Sequence, residues 1–144
     1  MGIKQGFRTL DYGCGPGSYS AIAVELVGPT GKVYALDIHS LAIQRVQNIA
    51  SKKRLSNIKT ICSDCLTGLE NSSIDVVLLF DTFHHLTDPD LMLEELHRAL
   101  KQDGILSFSD HHMKADRILT QVTAKGLFKL SEQGKKTYSF SKVK

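Results

Sequence analysis

The residue pattern predicts an α/β protein of three layers: a mainly parallel seven-stranded sheet with an antiparallel C-terminal hairpin strand, and helices on both faces. Three observations carry this. Short apolar runs alternate with segments of helical spacing along most of the chain, the order that builds a parallel sheet through crossover helices. The run Ile74 to Phe80 is almost unbroken in its apolarity, as a strand covered on both faces requires. A glycine cluster, Gly13, Gly15 and Gly17, separates the first apolar run from the first helical spacing, which reads as strand, tight loop, helix.

The elements follow in order. Phe7 to Leu10 feeds the glycine loop, and a helix from Ser18 to Val27 is apolar at Tyr19, Ile22, Ala23, Leu26 and Val27. After the Gly28-Pro29-Thr30-Gly31 turn, Lys32 to Asp37 is a second strand ending on a carboxylate. Ser40 is placed to cap a helix from Leu41 to about Lys53, whose stripe is Ala42, Val46, Ile49 and Ala50. Asn57 to Cys62 is the third strand and Ile74 to Phe80 the fourth. Asp88 is the N-cap and Pro89 the first residue of a helix with Leu93, Leu96, Ala99 and Leu100 toward the sheet, stopped by Gly104. Ile105 to Ser109 is the fifth strand, and a helix from Lys114 to Lys125 ends at Gly126. Leu127 to Leu130 and Thr137 to Val143 then form a hairpin around residues 132–136.

Composition sets the limits. With 144 residues, 42% hydrophobic and 23% charged, the chain reads as a single domain, residues 1–144, with one core. The formal net charge of +3 is mild and the basic residues are scattered, which is no nucleic-acid signature. No apolar run reaches the ~18 residues of a membrane helix, and no signal-peptide core opens the chain; a cytoplasmic protein is expected. Three cysteines fit reduced thiols, with Cys14 and Cys62 small buried residues. Cys62-x-x-Cys65 lacks two further ligands at workable spacing, so no metal is assigned.

Glycines without a Cβ let a loop adopt positive φ and press its backbone against a ligand, while the following helix offers unpaired N–H groups. The spacing here is G-x-G-x-G, one residue short of the G-x-G-x-x-G of dinucleotide sites. With Asp11 two places before Gly13, the loop resembles motif I of the class I S-adenosylmethionine-dependent methyltransferases, a Rossmann-like family. The resemblance continues through Asp37, Asp64, residues 75–86 and residues 100–109, in the family's order. It implies S-adenosyl-L-methionine as cofactor, with contacts at Asp11, Gly13, Cys14, Gly15, Gly17, Asp37, Ile38, Asp64, Cys65 and Phe80. Asp37 would accept the ribose hydroxyls, Asp64 the adenine amino group, and the Cys65 N–H would meet a ring nitrogen.

The expected activity is methyl transfer to a small-molecule acceptor that is neither nucleic acid nor membrane. A catalytically idle cofactor-binding subunit and a nicotinamide-dependent oxidoreductase are the alternatives. Family members usually carry helices before the first strand, so a homo-oligomer or partner covering the pocket is also expected. His84 and His85 follow the fourth strand, and His111 and His112 the fifth. His85 and His111 are the candidate bases; coincidence, or a metal site with Asp81 or Asp110, are the competing readings.

Overall fold

The central strand dictates the architecture. In the computed structural model, which describes residues 2–83, 86 and 88–143, β4 (Ile74–Phe80) is apolar at six of its seven positions and lies between β1 (Arg8–Tyr12) and β5 (Leu100–Ser109), parallel to both. β1 pairs in parallel with β2 (Lys32–Asp37), and β2 with β3 (Ile58–Cys62). β6 (Phe128–Gln133) and β7 (Tyr138–Lys142) complete a sheet of order β3-β2-β1-β4-β5-β7-β6, in which β7 is antiparallel to both neighbours. The predicted fold class is therefore the observed one.

Alternation along the strands divides the core between two faces. Val33, Val76 and Leu78 pack on Ala23, Val24 and Val27 of α1 (Ser18–Val27), and Ala35 packs with Ile43 and Val46 of α2 (Ser40–Lys52). On the opposite face Leu10, Val77, Leu79 and Phe108 meet Met92, Leu93 and Leu96 of α3 (Pro89–Ala99) and Ile118 and Val122 of α4 (Ala115–Thr123). Among the described residues no helix is long and apolar enough to cross a membrane.

Four local expectations change. Gly104 does not stop a helix: α3 ends at Ala99 and β5 begins at Leu100. Pairing passes from Ile74–Leu100 to Val76–Ile105, so five residues of β5 advance against two of β4. Gly104 sits in this irregularity, where a Cβ would lie 2.8 Å from Leu100 and 3.0 Å from the Lys101 carbonyl, so its role is close backbone approach. Ser40 is the first residue of α2 rather than its cap; the cap position is His39, with no side-chain bond. The buried stripe of α2 is Ile43 and Val46, and Cys62 is exposed because β3 is an edge strand.

The crossover from β3 to β4 runs through residues 63–73 without a helix, and a polar clamp holds it to α3. Thr67 donates its N–H (2.9 Å) and its hydroxyl (2.7 Å) to Glu95 Oε2. Arg98 grips the same carboxylate from Nε and Nη2, both at 2.8 Å, and donates from Nη1 to Asn71 Oδ1 at 2.7 Å. Glu95 is 7% exposed, a burial that nothing in the local residue pattern announces, because its partners lie on the crossover and not only on its own helix. The Arg98 bonds, with those from Thr67, outweigh burial and hold its carboxyl down at about 2.

A group whose folded pKa is depressed stabilises above its unfolded value and loses that contribution as pH falls toward the folded one. Glu95→Gln should therefore cost about 1.5–3 kcal/mol at pH 7. The gap to the parent should close as pH falls from about 4.5 to about 2. Denaturant melts of both proteins across that range check this, and a gap independent of pH would refute the charge assignment.

Candidate cofactor site

The sheet order reverses between β1 and β4: the chain builds outward from β1 to β3, then returns to lay β4 on the other side of β1. At such a switch point the loops leaving the two strands diverge, and a crevice opens beyond their carboxyl ends. The structure has a cavity of about 520 Å³ there, walled by Tyr12, Gly13, Asp37, Asp64, Phe80 and Asp81 among others. That volume suits a ligand of drug or cofactor size.

The floor is backbone held in a fixed shape. Gly13 and Cys14 both donate their N–H to Leu36 O at 2.8 Å, which pins the loop to the end of β2. Gly13 has φ +76°, and a Cβ there would fall 2.4 Å from Thr82 Oγ1; the loops after β1 and β4 touch at this point. Gly15 has φ +53° and no neighbour within 4 Å of a Cβ, so its backbone faces open space that a ligand can occupy.

Asp37 organises the rim. Its Oδ2 accepts from the Gly15 N–H at 3.0 Å and its Oδ1 from the His39 N–H at 2.9 Å. Each carboxylate oxygen keeps a further acceptor position. Asp64 lines the same cavity, and its backbone carbonyl accepts from the Tyr12 hydroxyl at 3.3 Å. Phe80 and Ile38 supply apolar wall, with Phe80 edge-on to Tyr19 at 4.8 Å.

The other sequence-predicted contacts stand behind the wall. Asp11 belongs to β1, is 2% exposed, and accepts from Ser20 Oγ at 2.7 Å, fastening the first turn of α1. Burial, with Asp37 adding, pushes its carboxyl up to about 6 against the Ser20 bond. Cys14 is buried among Ala35, Ile43 and Val46, and its thiol is pushed up to about 12 by burial and then by Asp11 and Asp37. It is a packing residue and no nucleophile at neutral pH. Gly17 occupies the cap position of α1 with φ +92°. The Cys65 N–H donates to Ser63 Oγ at 3.3 Å, while its side chain packs on the core.

Of the two histidine pairs, His84 and His85 lie outside the described residues. His111 stands at the rim beyond β5, its side chain 65% exposed. Asp81 Oδ1 accepts from both the N–H and the ring Nδ1 of His111, each at 2.7 Å. Burial raises the Asp81 carboxyl, but the two His111 bonds prevail and hold it below the usual carboxylate range. Tyr12, Leu36, His39 and Ser63 are wall residues outside the sequence-predicted contacts; Asp81, Thr82 and Leu86 fall in the 75–86 stretch that the resemblance covers, Asp81 there as a metal-ligand alternative. For the cavity role of Asp81 a signal was present: an acid immediately after a strand apolar at six of seven positions, at the end where ligands bind.

The chain matches the family model described as a methyltransferase domain over residues 3–141. It belongs to the class I S-adenosylmethionine-dependent methyltransferases. A similar solved structure is an S-adenosylmethionine-dependent methyltransferase from Aquifex aeolicus, 25% identical. Its TM-score is 0.85, and the match covers 97% of this chain and 84% of that one. An arsenic(III) S-adenosylmethionine methyltransferase from Chlamydomonas reinhardtii shares the fold with a TM-score of 0.75 at 20% identity, over 95% of this chain and 62% of that one. Among curated proteins, the demethylmenaquinone methyltransferase of Geobacillus stearothermophilus is 29% identical over 106 residues, 73% of this chain and 45% of its own length. The chain thus spans less than half of that curated relative.

The methyltransferase's cofactor is S-adenosylmethionine, and the residues fit it. The cradle at Gly15 is open where a side chain would intrude, a carboxylate sits at the end of β2, and a second acid lines the far side of the cavity.

Asp37→Ala should weaken adenosylhomocysteine binding by about 100-fold, the size of losing one charged acceptor serving two hydroxyls; calorimetric titration measures it, and unchanged affinity would sink the ribose assignment. Gly15→Val should give a flat titration while retaining a folded circular dichroism spectrum, although a Cβ at φ +53° strains the loop. Gly13→Ala should instead lower stability, by roughly 1–3 kcal/mol, because its clash is with Thr82 inside the protein.

Proposed function

We propose that this methyltransferase domain moves the methyl group of S-adenosylmethionine to a small-molecule acceptor, of the hydroquinone or phenol class. The observation that carries the reading is that one cavity wall holds both Asp37, whose carboxylate accepts from the Gly15 N–H, and Asp81, whose carboxylate accepts from His111. Similarity to demethylmenaquinone methyltransferases supports the acceptor class, as does the mild charge of the chain.

When bound, the cofactor supplies an electrophilic methyl group on a positively charged sulfur that leaves as a neutral thioether, so no acid need assist its departure. The protein's work is alignment and water exclusion. Asp37 and the Gly13–Gly17 loop would hold the ribose and the amino-acid end, and Asp64, Ile38 and Phe80 the adenine side. A hydroquinone or phenol acceptor arrives protonated, and as its hydroxyl proton leaves, the electron density that attacks the methyl becomes available at the oxygen and, by conjugation, at the adjacent ring carbon. His111 is the described imidazole placed to take that proton.

A second reading, a cofactor-binding domain completed by a further segment or by a second subunit, is favoured by apolar exposure in the cavity wall. Ile38 lines the cavity and is 59% exposed, and burying such a side chain against a cover would be favourable.

With a reduced, demethylated naphthoquinone as acceptor, adenosylhomocysteine should accumulate in step with methylated product by mass spectrometry. His111→Ala should keep cofactor affinity and lower turnover by about 100-fold. Cofactor binding without turnover on phenolic or quinol acceptors would favour the incomplete-domain reading. Absence of cofactor binding would refute both.

A further inference from the structure

We infer that Asp81 is a positioning residue that sets the tautomer and orientation of His111, so that Nε2 is the basic atom turned outward from the pair. This rests on the methyl-transfer reading above and adds to it a residue, a proton location and the atom that acts.

The geometry makes the assignment. Asp81 is the first residue beyond β4 and His111 lies two beyond β5; the two strands are parallel neighbours, with Phe80 level with Ser109. The Asp81 N–H closes the strand ends by donating to Ser109 O at 2.6 Å. One carboxylate oxygen then receives both the His111 backbone N–H and the ring Nδ1 at 2.7 Å. Gripping a residue by main chain and ring together fixes the rotamer as well as the position.

An ionised carboxylate can only accept hydrogen bonds, so a 2.7 Å contact requires the proton to be on Nδ1. In the neutral ring Nε2 then carries the lone pair, the reverse of the tautomer that free imidazole side chains favour. The backbone supports a functional origin. Asp81 has φ +55°, a left-handed conformation that disfavours residues carrying a Cβ. Glycine would relieve that strain and lose the carboxylate. Asp81 also lines the cofactor cavity, so the pair joins the cavity wall to the exposed imidazole.

The test reads the ring directly and needs no acceptor. In ¹⁵N-labelled full chain above the imidazole titration, long-range proton–nitrogen correlation, assigned through His111→Ala, should show the His111 Nδ1 protonated and Nε2 unprotonated. Asp81→Gly, suited to the positive φ, should move the proton mainly to Nε2, and so should Asp81→Ala, which also removes the acceptor, should the glycine variant not fold. An unchanged tautomer in the variants, alongside a normal adenosylhomocysteine titration of the parent, overturns the Asp81 assignment alone. A flat titration of the parent overturns the methyl-transfer reading and the base with it.

Discussion

One carboxylate holds the cofactor end of this molecule together. Asp37 ends β2, yet its two oxygens are bonded to Gly15 in the loop after β1 and to His39 at the entry to α2. The glycine loop needs such an anchor, because chain free to take positive φ is also free to take many other shapes, and ordering it costs entropy. With Gly13 and Cys14 tied to Leu36 and Gly13 pressed on Thr82, β2 and the chain after β4 hold the loop from two sides. The cradle is rigid before any ligand arrives, and that is what makes a crevice into a site.

Much of this was legible in the residues. Ile74–Phe80 and Lys32–Asp37 were read to the residue, since apolar runs closed by a turn or an acid leave little freedom of register. Asp88 and Pro89 likewise announced α3, where Asp88 Oδ1 accepts from the Leu91 N–H at 3.1 Å. The misreadings share a cause: they concern residues whose role depends on something distant in sequence. Gly104 looked like a helix stop because glycine serves that purpose locally, whereas it stands where a Cβ would meet Leu100, the Lys101 carbonyl and the Ile74 carbonyl, the last thirty residues back. Cys62 looked buried because a free cysteine without metal partners packs as a small apolar residue, but among the described residues no strand lies beyond β3. The site divides the same way: Asp37 and Asp64 were legible as acids at strand ends, while Asp81 drew its importance from a histidine thirty residues on.

Burial of charge follows a rule here. Glu95 is buried with a bidentate arginine and two threonine donors and stays ionised well into acid. Asp11 is buried with a single serine hydroxyl and a neighbouring acid, and protonates near pH 6. The number and charge of the donors decide which form survives desolvation. Glu95 fixes a crossover that has no helix of its own, and Asp11 seats the first turn of the helix behind the cradle.

The reversed seventh strand has a consequence for assembly. By turning back between β5 and β6, it leaves β6 as one border of the sheet and β3 as the other. β6 is exposed at Lys129 and Glu132 and its pairing slips between Leu130 and Glu132; β3 is five residues long with Lys59 outward. Charge, brevity and irregularity deter strand-to-strand recruitment. Both borders are therefore poor templates for a further strand, and the sheet ends where the chain ends it.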